Sequence, residues 1–387
     1  MNKKLIIILS AVVLILGLAA VLLFVPFFEV TREEPIVIAC FSDPHHDYGL
    51  QDSEPYIRES SQKAADFVKE YTKGGADYVF IGGDITGRFS EWNDESIKNV
   101  MDASYNVFSQ ASKNGKALVV TGNHDPEPST FSDTLEINSN DYSSYIKAAF
   151  GEPSAELYLH DLGEDYTFPF DEQLCYRYEL DGFEFLCINT PNGDRRGTKQ
   201  IGYSGLYIEQ VEWVEEQLKS IGKDETVFLV CHYSVEDIRT ATSLTDLVDI
   251  SPENPSRKKM TELMQEYTNV VYCYGHVHTE IYEVLDSSEE SVKPIVSGVE
   301  SSAIGCHMGS LGFYNDHYYG EKLGKEDPKV IQVMLIYVYS DRLVFEVHNT
   351  GEKPAYDGSY EIASFTIERD MTAQFKEKVS LFDKIVG

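Results

Sequence analysis

From residue 35 to residue 274 the chain alternates dense apolar runs with amphipathic stretches of helical period. The runs at 35–42, 78–82, 117–121, 183–190, 226–231 and 269–274 are short, rich in β-branched or aromatic residues, and bounded by glycine or polar residues. Such runs predict strands buried on both faces. Residues 53–72, 93–113 and 206–220 read as helices; in the last, Ile208, Val211, Val214 and Leu218 recur at helical spacing. Strand–helix alternation predicts an α/β sheet with helices on its faces. Beyond residue 282 strands take over, at 282–285, 293–296, 330–339 and 342–348, with Ser340-Asp341-Arg342 marking a hairpin turn. Residues 126–175 show no clear period and read as a long insertion or irregular cap.

The N-terminus breaks this pattern. Residues 5–28 are 24 consecutive uncharged, overwhelmingly apolar residues. At about 1.5 Å per residue they form roughly 36 Å of helix, enough for a hydrocarbon core of about 30 Å. Lys3 and Lys4 precede the run, and Glu29, Arg32, Glu33 and Glu34 follow it. The positive-inside bias then predicts a single-pass protein of the cell membrane, with residues 1–4 cytoplasmic and the rest extracytoplasmic. The bilayer is thus one expected partner, followed by a linker at 29–35. The competing reading is a signal peptide cleaved after the small residues Gly17 and Ala19, giving a secreted protein. That cut would leave a greasy stub at the head of a soluble chain.

Composition adds exclusions. With 64 acidic and 32 basic residues among 387, the formal charge is −32, which disfavours long nucleic acid as a partner. Apolar residues at 42% and charged ones at 25% exclude wholesale disorder and a multi-span membrane protein. Six cysteines show no CxxC spacing. Cys40, Cys187, Cys231 and Cys273 sit in strand-like runs and read as buried thiols, while Cys175 and Cys306 are open to pairing in an oxidising compartment.

The chemistry gathers where the apolar runs end. They close, in order, on Ser42-Asp43-Pro44-His45-His46-Asp47, Gly82-Gly83-Asp84-Ile85-Thr86-Gly87, Thr121-Gly122-Asn123-His124-Asp125, Cys231-His232-Tyr233-Ser234 and Tyr274-Gly275-His276-Val277-His278. Ligands of open α/β sheets collect outside the carboxyl ends of strands, so these five turns are expected to converge on one crevice. Together they offer carboxylates, one amide oxygen and several imidazoles, with no thiolate. Mixed N and O donors of this kind suit Mn, Fe, Zn, Ni or Co rather than Ca. The donors outnumber what one ion needs, so two divalent ions sharing a carboxylate are the natural solution, an arrangement used for in-line attack at phosphorus.

This ordered set resembles the signature of the calcineurin-like metallophosphoesterase superfamily. Glu209-Gln210 and Trp213 are similar to the helix before its fourth motif, and residues 340–351 resemble its closing hairpin. The resemblance spans residues 36–370 and leaves 371–387 as a C-terminal tail. It implies a four-layer αββα sandwich, an α/β (α+β) fold following the transmembrane helix. It also implies a first ion held by Asp43, His45, Asp84 and His278, and a second held by Asp84, Asn123, His232 and His276. A hydroxide between two such ions attacks the phosphorus of a phosphate mono- or diester. His124 is similar to the histidine that gives a proton to the leaving oxygen, with Asp125 a candidate to orient its ring.

The departures are informative as well. The purple acid phosphatase branch needs a tyrosine three residues after the bridging aspartate, and Gly87 stands there, against an Fe(III)–tyrosinate centre. His46 reads as facing solvent or lying behind the ligands. Arg195 or Arg196, in a polar loop, can clamp a phosphate, and His307 can wall the pocket. The expected soluble partner is therefore a small phosphorylated substrate. No GxSxG occurs and no Gly-Lys pair is followed by Ser or Thr, which removes serine hydrolases and P-loop enzymes. A catalytically silent sensor or binding module on the same fold is the alternative; retention of every ligand and of His124 speaks for the enzyme.

Overall fold

The apolar runs do become buried strands, each covered on both faces. The structure is a computed structural model that describes residues 27–48, 55–56, 59–86, 94–122, 125, 140–163, 172–190, 206–233, 255–276, 295–296, 303–308, 311, 331–350 and 363–380. In chain order the first elements are β1 (Phe27–Thr31), β2 (Ile36–Phe41), β3 (Asp47–Tyr48), β4 (Pro55–Tyr56), α1 (Glu59–Tyr71) and β5 (Tyr78–Gly82). Next come α2 (Asp94–Ser109), β6 (Leu118–Val120), α3 (Asn140–Phe150), β7 (Ala155–Tyr158), β8 (Gln173–Leu180) and β9 (Phe183–Ile188). Then follow α4 (Ile208–Ile221), β10 (Val227–Cys231), α5 (Pro255–Glu266), β11 (Val270–Tyr274), β12 (Ile295–Val296) and β13 (Ile304–His307). The last are β14 (Gln332–Val338), β15 (Arg342–Asn349), β16 (Ala363–Glu368) and β17 (Lys376–Ser380).

The fold is mixed α/β with two large sheets. One runs β16-β15-β14-β2-β5-β6 and the other β12-β13-β11-β10-β9-β8-β7. Within them β2, β5 and β6 are parallel, as are β9, β10, β11 and β13. Ile38, Cys40, Phe80, Phe185, Phe228, Ile336 and Phe345 pack between the sheets. The Phe80 and Phe185 rings meet edge-on at 5.8 Å. Alternate residues of β2 (Val37, Ala39, Phe41) face Ala64, Val68 and Phe108 of α1 and α2. On the opposite outer face Leu186, Leu229 and Tyr272 pack on Val211 and Trp213 of α4 and Met260 and Leu263 of α5. With both faces of a strand apolar-covered, alternation disappears and continuous apolar runs result.

Several expectations change. Residues 126–175 are not wholly irregular: they contain α3 and the edge strand β7, short elements whose periods are masked by the polar residues around them. The first helix begins at Glu59 rather than residue 53, because Pro55–Tyr56 pairs with Asp47–Tyr48 as a small ribbon. Helix α5 and strands β8, β13, β16 and β17 lie outside the runs and periods read from the sequence. All six cysteines are free and buried. Cys175 in β8 and Cys306 in β13 lie four strands apart, about 19 Å, far beyond disulfide reach.

The N-terminal strand ends of both sheets meet at one end of the molecule. There Asp77, just before β5, accepts from Arg32 (3.3 Å), from the Val37 amide (2.8 Å) and from Lys113 (2.9 Å). Gln374 accepts from the Thr226 amide (2.8 Å) and donates to the carbonyls of Gly182 (3.0 Å) and Thr226 (3.1 Å), joining β9 to β10. Met371 and Phe375 are buried beneath the sheets. Strand β1 pairs antiparallel with β17, from Phe27 opposite Ser380 to Thr31 opposite Lys376. Phe27 and Phe28 of the long apolar run, Glu29–Thr31 of the expected linker and Met371–Ser380 of the expected tail are thus built into this end. Among the described residues no helix is long and apolar enough to cross a membrane; residues 5–26 lie outside them.

Candidate metal centre

At the opposite end the strands deliver their turns to one place. Beyond β2 and β5 the parallel ladder continues into the turns, through Asp43 N–H to the Gly83 carbonyl (3.0 Å), His45 N–H to Asp84 (3.0 Å) and His46 N–H to Ile85 (2.7 Å). The backbone is bent hard to do this. Of the six non-glycine residues with positive φ among those described, four are Asp43 (53°), His45 (46°), Asp84 (50°) and His276 (70°). Left-handed backbone in non-glycine residues costs free energy and concentrates at functional sites. Here it falls on the residues that the sequence singles out as ligands.

Two donor triads form, Asp43-His45-Asp84 and Asp84-His232-His276, and within each the donor atoms lie within 4.8 Å of one another. Asp84 belongs to both. Its Oδ2 is 3.8 Å from His45 Nε2 and 3.3 Å from His232 Nε2. Two donors about 2.1 Å from one ion and about 100° apart are separated by about 3.2 Å, so the spacing suits a shared carboxylate oxygen. The Asp43, His45, Asp84 and His232 side chains are all at least 96% buried. Asp43 also accepts the His276 amide (3.0 and 3.2 Å), which ties the first turn to the fifth. A donor set of carboxylates and imidazoles without thiolate, arranged as two triads, fits two divalent ions.

His232 is oriented from behind. Its Nδ1 lies 2.7 Å from the Gly82 carbonyl, which can only accept, so Nδ1 carries a proton and Nε2 faces Asp84. Burial opposes charge on this ring, but the Asp84 and Asp43 carboxylates and the Gly82 carbonyl outweigh it and raise the imidazole to about 9. At pH 7.5 the ion-free ring therefore holds a second proton on Nε2, the atom an ion needs. Ion binding is expected to expel that proton, and apparent affinity to rise with pH by about tenfold per unit until pH nears 9. Calorimetric Mn(II) titrations in two buffers of different ionisation enthalpy measure the release directly; equal apparent enthalpies in both would contradict it.

Asp125 joins two of the turns; its expected partner, the His124 ring, lies outside the described residues. Its Oδ1 accepts from the Thr86 amide (2.9 Å) and hydroxyl (3.2 Å), and its Oδ2 from the Gly122 amide (2.8 Å). The carboxylate thus staples the third turn to the second, a role legible only once the two turns are adjacent. Burial and then the Asp84 charge push its carboxyl up to about 7, against the pull of the Gly122 and Thr86 amides. The third turn is also held to the other sheet: the Thr121 amide donates to Asn189 Oδ1 (3.1 Å) and Asn189 Nδ2 donates to the Gln173 carbonyl (2.9 Å).

His46 is fully buried rather than solvent-facing. Its ring nitrogens lie 2.7 Å from Ser104 Oγ on α2 and 2.8 Å from Ser61 Oγ on α1, and it stacks on Phe108 at 5.8 Å. It therefore pins the first turn to both helices. Gln210, in the helix noted above, accepts the Tyr207 amide (3.0 Å) and donates to the Leu174 and Asn189 carbonyls. His307 pairs in register with Tyr274, which places its backbone near the fifth turn; its side chain is outside the description. Asn123, His124, His278, Arg195 and Arg196 lie outside the described residues.

Among solved structures the chain is similar to a dimetal phosphatase from Danio rerio, at 13% identity over 87% of this chain and 99% of that one, TM-score 0.49. It is also similar to a purple acid phosphatase from yellow lupin seeds, at 15% identity over 89% and 55%, TM-score 0.45. A third is the phosphopantetheinyl hydrolase of Mycobacterium tuberculosis, at 13% over 76% and 95%, TM-score 0.34. No curated protein sequence matches the chain. The family model described as calcineurin-like phosphoesterase matches residues 36–280, well over half the chain and all five turns. The chain belongs to the calcineurin-like phosphoesterase family.

Proposed function

We propose that this chain is a membrane-anchored, two-metal phosphoesterase that hydrolyses a phosphate mono- or diester outside the cytoplasm. The observation that carries the reading is the pair of donor triads sharing Asp84, at the strand ends of a domain of this family. Bound divalent ions supply positive charge that activates water and neutralises the phosphoryl oxygens. Asp84 would be shared by the two ions, with Asp43 and His45 holding one and His232 and His276 the other. His278 completes the first set and Asn123 the second. The neutral Asn123 oxygen limits negative charge beside an anionic substrate. Fixed on its Nδ1 by Gly82, His232 presents the same nitrogen throughout turnover. His124 holds the proton that the leaving oxygen takes up. Arg195 or Arg196 pairs with substrate oxygens, and His307 walls the pocket.

Anchoring rests on residues 5–26, since Phe27 and Phe28 belong to β1. These 22 uncharged residues still extend about 33 Å as a helix, enough to span. The catalytic test uses purified protein reconstituted with Mn(II) and an aryl phosphate. His124→Ala is expected to lower kcat by about 10²–10⁴-fold at unchanged metal content. An unchanged kcat would remove His124 from the proton transfer. A panel of nucleotides, cyclic nucleotides and sugar phosphates then identifies the ester.

A further inference from the structure

We propose that the catalytic crevice opens on the side facing away from the bilayer, so that the substrate is a water-soluble phosphoester and not a lipid of the anchoring membrane. The inference rests on the membrane-anchored phosphoesterase reading above and deepens it. It comes from where the chain enters the domain. The metal donors begin after the carboxyl end of β2, at Asp43, whereas the chain reaches β2 at its amino end, Ile36. Six residues of strand place the two about 17–20 Å apart.

That entry point has no slack. Glu29–Thr31 is hydrogen-bonded strand, Arg32 donates its amide to the Phe375 carbonyl (3.1 Å), and its guanidinium reaches Asp77 and Asp181. Phe375 is buried against Phe183 at the amino end of β9. Arg369 donates to the carbonyls of Thr268 and Asn269, just before β11. The amino ends of β2, β5, β9, β10 and β11 are thereby fastened to one plug, residues 369–380, on which β1 is paired. A tether of free chain would let the domain roll over; one built into a sheet does not.

Charge acts in the same sense. With residues 1–30 set aside, whose Lys3, Lys4 and Glu29 make a net +1, the other 357 residues carry −33. A domain of this net charge has no basic excess to draw its flanks down onto a membrane surface. The crevice therefore faces bulk water, where a small anion meets the ions' charge rather than the headgroup layer.

Two single-cysteine labels read this orientation without any catalysis. The six native thiols are buried, and burial raises Cys40, Cys187 and Cys231, so added exposed cysteines are labelled selectively. Glu59→Cys lies at the start of α1 on the side of the first turn, since Ser60 Oγ donates to the Leu311 carbonyl and the Leu311 amide to Ser42. Ala373→Cys lies exposed in the plug. The full chain is reconstituted in phosphatidylcholine vesicles carrying headgroup nitroxide lipids. The expected result is loss of fluorescence at 373 and its retention at 59. Equal quenching, the reverse order, or no quenching at either site overturns the proposal.

A substrate arm uses the same vesicles loaded with long-chain phosphatidic acid, with p-nitrophenyl phosphate outside. Turnover of the aryl phosphate with the lipid left intact is expected, and cleavage of the lipid by enzyme anchored in that vesicle overturns the proposal. If neither ester is cleaved, the phosphoesterase reading falls, while the labels still decide the orientation.

Discussion

Asp84→Ala is expected to lose both ions and to lower aryl phosphate turnover by at least about three orders of magnitude. The size follows from position: its Oδ2 faces His45 at 3.8 Å and His232 at 3.3 Å, so one substitution breaks both triads. Loss of Asp43 leaves the second triad whole, and loss of His276 leaves the first. Those variants should therefore retain one ion. The ion-free fold should tolerate Asp84→Ala, because a carboxylate beside the buried Asp125 is removed and that carboxyl is no longer pushed up by it. Metal content after desalting, read with initial rates, checks this. A variant with two ions and wild-type turnover would refute the assignment.

Gly122→Ala is expected to act almost as severely without touching a donor atom. A Cβ at residue 122 would overlap the Asp84 carboxylate and its backbone nitrogen. Backbone stands on one side and the shared ligand on the other, so nothing flexible is available to move. Either Asp84 turns away and the ions are lost, or the third turn shifts and the Asp125 staple to Thr86 and Gly122 breaks. Overpacking of this kind costs about 1–3 kcal/mol. That is enough to lower the melting temperature by several degrees and, through the displaced carboxylate, to reduce metal affinity. Gly115→Ala is the control, since a Cβ there meets nothing within 4 Å, though its φ of +66° carries its own backbone strain. If Gly122→Ala bound both ions with wild-type affinity, the close approach of the two turns would be wrong.

What the sequence discloses depends on how local its cause is. Strands β2, β5, β6, β10 and β11 are legible because burial on both faces makes every residue apolar, as in Val227–Cys231. Their terminal turns are legible because the donors sit within a few residues of each strand end. Helix α5 is hard to read although Met260, Leu263 and Met264 form its buried stripe; Arg257, Lys258 and Lys259 dilute a pattern only 12 residues long. Strand β7 escapes because as an edge strand it is only half-buried along its length. Strands β1 and β17 pair over some 350 residues of separation, and Phe27 and Phe28 carry the same composition as the run before them.

The site divides along the same line. Asp43, His45, Asp84, His232 and His276 announce themselves by type and place. The burial of His46 does not, because Ser61 and Ser104 come from two helices that only the fold brings to it. Nor does the Asp125 staple, whose partner Thr86 belongs to another turn. What holds a donor in place is set by tertiary neighbours, and those have no fixed spacing in the chain.

Electron paramagnetic resonance of the chain loaded with Mn(II) distinguishes two ions sharing Asp84 from a single ion. Two ions sharing one carboxylate oxygen are about 3.5–4 Å apart and exchange-coupled. The expected result is a coupled Mn(II)–Mn(II) spectrum that saturates at two equivalents and is absent from Asp84→Ala. An uncoupled single-ion spectrum that saturates at one equivalent would contradict it.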